Sequence, residues 1–149
     1  MIELEFTPED YRQISFAFSP IAEAVTSLRA LGTPMRNGLH SPWLAAVSQR
    51  LDGVDMDLLT ALVRPTGYIP DFISPALPGR TASFESSLAQ IAATDLGIVA
   101  AELEHLAQHK VAQQGPGRAQ RAELMCALLA DPSHAVDRIV HELSQYWQA

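Results

Sequence analysis

The chain has 149 residues, 48% hydrophobic and 18% charged, with a formal net charge of −7. That length fits one domain large enough to bury a core, and the composition excludes a disordered segment. Its ten basic residues, nine Arg and one Lys, are scattered singly, which argues against a phosphate-gripping surface within these residues.

No apolar run approaches the ~20 residues of a membrane span, so no membrane contact is expected. The opening Met-Ile-Glu-Leu-Glu-Phe is acidic where a secretory signal would be basic. The single Cys126 cannot form an internal disulfide, and a cytoplasmic location is expected. Arg in place of Lys in an Ala-rich chain points to a GC-rich bacterial genome.

In chain order, Ile2, Leu4 and Phe6 alternate with Glu3 and Glu5, the period of a half-buried strand. One strand must pair elsewhere, within the chain or with another copy. Thr7-Pro8-Glu9-Asp10 reads as a helix start, with Thr7 as N-cap and acids in the first turn. Ser19-Pro20 starts a second helix with Ile21, Val25, Leu28 and Leu31 inward, stopped by Gly32 and Pro34. Ser41-Pro42 opens a third, with Trp43, Leu44, Val47 and Leu51 on one side, ending at Gly53. Asp55 or Asp57 caps Met56 to Val63, too short to separate helix from strand, though helix is preferred. Residues 65 to 80 hold six Pro or Gly yet also Tyr68, Ile69, Phe72, Ile73 and Leu77. Such a loop either packs across the core or lines a binding surface.

Helical spacing resumes at Ser83 with Phe84, Leu88, Ile91 and Ala92. Thr94-Asp95 marks a new cap, followed by Leu96, Val99, Leu103 and Leu106. Residues 111 to 118 read as a flexible connection. A helix from about Ala119 to Leu129 carries Leu124, Ala127 and Leu128. Asp131-Pro132 starts the last, whose apolar face is Val136, Ile139, Val140, Leu143, Tyr146 and Trp147. The fold class is therefore mainly α: a multi-helix orthogonal bundle with a short N-terminal β-strand, as a single domain over 1–149.

Chemistry-bearing constellations are sparse. His105 and His109 stand at i, i+4 with Glu102 a turn earlier, but inward Leu96, Leu103 and Leu106 turn them to solvent. His134, Asp137 and His141 face outward in the same way, so no metal site and no cofactor are expected. Cys126, beside Leu124, Met125 and Leu128, reads as a small buried hydrophobe. No Gly-x-Ser-x-Gly elbow or phosphate loop occurs, and no enzymatic activity is expected. The Tyr68-Ile69-Pro70-Asp71-Phe72 segment is the most distinctive feature. It reads either as a structural crossing, or as one wall of an apolar ligand pocket formed by Trp43, Tyr68 and Phe72 with Asp71 orienting the ligand. No Gly, Asn or Pro closes the last helix. Either it docks on the domain, or Tyr146 and Trp147 mark an interface with a second copy or a following domain.

The order of Leu4–Asp10, Ser19–Leu31, Pro42-Trp43-Leu44, Gly67-Tyr-Ile-Pro-Asp-Phe-Ile-Ser-Pro75 and the closing Leu143-Ser-Gln-Tyr-Trp147 resembles the N-terminal, non-DNA-binding region of ArsR-type winged-helix transcriptional regulators from GC-rich bacteria. The resemblance covers essentially the whole chain, and only the Gly67–Phe72 segment is specific. It implies an effector-sensing or dimerisation domain, a homodimer, and DNA binding by a winged helix-turn-helix outside this sequence. It transfers no base-reading residue, and the cysteine pairs or carboxylate–histidine sets of metal-sensing members are not reproduced. The alternative is a freestanding helical module that binds a small molecule or a protein.

Overall fold

The computed structural model describes residues 3–14, 16–33, 41–77, 79–108 and 117–149. Among these the chain is mainly α, with eight helices: α1 (Pro8–Gln13), α2 (Pro20–Leu31), α3 (Ser41–Arg50), α4 (Asp57–Leu62), α5 (Phe84–Ala92), α6 (Leu96–Gln108), α7 (Arg118–Ala130) and α8 (Pro132–Gln148). Ile2, Pro34, Pro78, His109 and the connection at 111–116 lie outside the described residues.

The last helix is the axis of the fold. α8 packs against α2, α4, α5, α6 and α7. It buries Ala135, Val136, Ile139, Leu143 and Tyr146, a stripe at helical spacing. Facing it are Ile21, Val25 and Leu28 of α2, Leu58, Leu59 and Leu62 of α4, Phe84 and Ile91 of α5, and Val99, Leu103 and Leu106 of α6. Met125 and Leu128 of α7 complete one continuous core.

Local chemistry sets the helix starts. The Thr7 hydroxyl accepts from the Asp10 amide, and the Asp10 carboxylate accepts from the Thr7 amide at 2.8 Å, a capping box. Ser19, Ser83 and Asp131 each accept an amide of the first turn of α2, α5 and α8. The Asp95 carboxylate takes the Gly97 amide at 2.9 Å. The short apolar segment after Asp55 is a helix, and the Asp55 side chain accepts the Asp57 amide at 3.1 Å.

Four expectations are corrected. Residues 3 to 6 form no strand; they are exposed and pair with no strand among the described residues. The alternation at the N-terminus needs a partner edge, and the described residues contain only an isolated bridge between Phe18 and Thr81. Leu96 is 46% exposed, because the first turn of α6 stands clear of the core that begins at Val99. Cys126 is exposed: Met125 and Leu128 face inward, and the next position along a helix rotates by about 100°, out into solvent. Glu102 is half-buried rather than solvated, because the segment around Tyr68 crosses its face of α6.

The apolar loop after Pro65 packs across the core. Pro70, Phe72 and Ile73 are buried, the last two in a 3-10 turn over Asp71–Ile73 that lies on α6. The loop is tied to α2 at two glycines. A Cβ on Gly32 would come within 2.9 Å of the Pro65 ring, so only glycine lets the two approach. Gly67 has φ +100°, a conformation other residues avoid, and its carbonyl accepts from Arg29 Nη2.

Candidate functional site

α2 turns one face to the core and leaves Glu23, Thr26, Ser27, Ala30 and Thr33 along its flank. α3 presents Trp43, Val47 and Arg50, one stripe at i, i+4, i+7. With Tyr146 and Trp147 at the end of α8, and Pro65 and Arg29 at one end, these enclose a cleft of about 790 Å³. That falls within the usual range for a small-molecule site.

The two tryptophans give the cleft its apolar character. Trp43 is 40% and Trp147 47% exposed. Trp147 is held by stacking on Phe84, with ring centroids 4.5 Å apart and planes 8° apart. Tyr146 is buried and its hydroxyl lies 2.6 Å from Ser27 Oγ. The Ser27 proton goes to the Ala24 carbonyl at 2.7 Å, so Tyr146 is the donor of the pair. Burial pushes the Tyr146 hydroxyl above its ordinary pKa, with the Ser27 bond opposing, so it stays protonated at neutral pH.

Charge in the cleft comes from Arg29 and Arg50 against Glu23. Arg29 Nε is buried without a hydrogen-bond partner, leaving a donor unused. Arg50 Nη1 reaches the Ala149 carbonyl at 3.4 Å, a long bond that ties α3 to the end of α8. The lining offers aromatic faces and guanidinium donors, with Glu23 its one acidic side chain. This is an arrangement for holding a planar, apolar body that carries an anionic group.

The residues singled out by sequence do not converge on one site. Trp43 lines the cleft, together with Tyr146 and Trp147. Tyr68 and Phe72 lie on α6 instead. Glu102 Oε2 accepts from the Tyr68 hydroxyl at 3.3 Å and from the Phe72 amide at 3.1 Å. His105 meets the Tyr68 ring edge-on at 4.7 Å. Burial, then the charges of Glu102 and Asp71, raise the Tyr68 hydroxyl pKa. Asp71 is exposed at the start of the 3-10 turn. Sequence reasoning missed Ser27, Arg29 and Arg50, since the cleft joins segments 119 residues apart. The stripe formed by Trp43, Val47 and Arg50 was the available signal.

A second cavity, about 230 Å³, is lined by Asp55, Asp137, Arg138, His141 and Glu142. Glu142 is buried and fully engaged, accepting from the Leu59 amide and from Arg138, each at 3.1 Å. Burial raises its carboxyl pKa, opposed by those two donors. Among the described residues no group of three His, Cys, Asp or Glu is placed to hold a metal ion. Nor is any helix among them long and apolar enough to cross a membrane. Comparison with known protein families, curated proteins and solved structures finds no match.

Proposed function

We propose that this chain is an effector-binding regulatory domain whose ligand site is the cleft between α2, α3 and the end of α8. The observation that carries this reading is the pairing, in one cleft, of two half-exposed tryptophans with two arginines. The ligand class that fits is a planar aromatic carboxylate: the ring stacks on Trp43 or Trp147, and Arg29 and Arg50 take the carboxylate. Because the cleft joins three helices, a ligand that binds one arrangement of them better than another shifts their equilibrium, which is what a sensing domain requires.

On the ArsR-like reading this domain senses, and a winged helix encoded elsewhere in the same gene reads DNA. The acidic charge and scattered basic residues support placing DNA contact outside this sequence. Finding no winged helix-turn-helix in the full reading frame would leave a freestanding ligand-binding module as the reading. The cleft itself is tested by titrating naphthoate and indole carboxylates while following tryptophan fluorescence. Saturable quenching, weakened at least about tenfold by Arg50→Glu, is expected from losing a charge-assisted contact. A flat titration across aromatic carboxylates overturns the ligand assignment.

A further inference from the structure

The most unusual surface lies before α2. Residues 3 to 14 and 16 to 18 are all exposed, yet they include Leu4, Phe6, Tyr11, Ile14, Phe16 and Phe18 at 57–82% exposure. α1 buries nothing. A chain that caps a helix carefully at Thr7 and then leaves both its flanks apolar is shaped for a partner, since contiguous exposed apolar surface marks an interaction site.

We propose that this segment is an exchange arm: the Leu4–Phe18 segment of one copy docks in the α2–α3–α8 cleft of a second copy, reciprocally. Charge favours this occupant. The arm carries Glu3, Glu5, Glu9 and Asp10 against Arg12, whereas the cleft carries Arg29 and Arg50 against Glu23. Glu9 is paired with Arg12 and Asp10 with Thr7. Glu3 and Glu5, which flank Leu4, are thus the carboxylates available to arginines beside an aromatic wall. Two arms packed on one another would instead set like charges together.

Reach is sufficient. The arm leaves the body where the Phe18 amide bonds the Arg80 carbonyl at 3.2 Å. Drawn out fully on either side of its one short helix, a segment of this length reaches at most about 40 Å, enough to cross to a neighbour related by a two-fold axis. The strand-like alternation of residues 2 to 6 is then accounted for by apolar residues entering a cleft and acids facing its arginines. Small ligand and arm would exclude one another from the cleft, but the exchange does not depend on any small ligand.

The test uses the full chain and sedimentation velocity at micromolar concentration without added ligand. Wild type is expected to run as a dimer. The double variant Phe6→Ser, Phe16→Ser and, separately, Arg50→Glu are expected to raise the dimer dissociation constant at least about tenfold. All three positions are exposed, and unchanged circular-dichroism melts of dilute, monomeric samples verify the folds. Mixing the two variants restores one intact arm–cleft contact and so recovers heterodimer. A monomeric wild type, a dimer that survives the arm variant, or a mixture with no recovery overturns the proposal; the first and last are the results of an arm folding back on its own cleft. A carboxylate titration that stays flat even in the monomeric Phe6→Ser, Phe16→Ser variant, whose cleft holds no arm, would sink the effector reading while leaving this one standing.

Discussion

The Glu142 carboxylate on α8 accepts the backbone amide of Leu59, the third residue of α4, at 3.1 Å. Met56, at the N-cap of α4, offers no side-chain acceptor, so a residue 83 positions away supplies the cap. Truncating Glu142→Ala leaves the buried Leu59 amide unpaired and should cost about 1–3 kcal/mol, measured by chemical denaturation.

The same carboxylate gives a pH signature. Burial raises its pKa above the ordinary value, so the folded state favours the protonated form. Its contribution to stability is full below about pH 4 and declines as pH rises through the raised value. Glu142→Gln removes this titration. The melting temperature of Glu142→Gln minus that of wild type should therefore increase from pH 4 to pH 7. A constant difference would show that Glu142 does not titrate with a raised pKa.

Glu102 anchors the loop that crosses α6. In Glu102→Ala the Tyr68 hydroxyl and the Phe72 amide both lose their acceptor. Amide exchange at residues 68 to 73 should accelerate by roughly tenfold or more, the equivalent of about 1.4 kcal/mol, with α3 unaffected. Glu102→Gln keeps one acceptor oxygen and should fall between.

Tyr146 and Ser27 form one polar link across the floor of the cleft. A double-mutant cycle with Tyr146→Phe and Ser27→Ala should return a coupling of about 0.5–1.5 kcal/mol in denaturant unfolding. A coupling near zero would mean that water serves each hydroxyl equally well.

Exposed Cys126 should react fully with a thiol reagent in the native protein, without loss of helical circular dichroism. Cys126→Ser should change stability by no more than about 0.5 kcal/mol. Protection of the thiol until global unfolding would restore the buried reading.

Helices were legible in the sequence because capping and periodicity are local. Thr7, Ser19, Ser83, Asp95 and Asp131 announce their starts, and Val99, Leu103 and Leu106 declare an inward face. What periodicity cannot show is which neighbour covers a face. Glu102 reads as solvated until the loop at Tyr68 is seen to cross it, and nothing in the sequence pattern marks Glu142 as the residue that caps α4. The candidate site was half visible for the same reason. Trp43, Tyr146 and Trp147 are conspicuous alone, but only tertiary packing sets them beside Arg29 and Arg50. Tyr68 and Phe72 were conspicuous too, and packing takes them elsewhere.

Among the eight helices described, the one at the centre comes last in chain order. Until Pro132–Gln148 has been synthesised, Leu58, Ile91 and Leu103 lack the surface they pack against in the finished fold. The nascent chain must carry those side chains without that partner from the time they are made until α8 follows. Folding is thereby deferred to a late docking event, and the growing polypeptide is a natural client for a chaperone that shields apolar stretches.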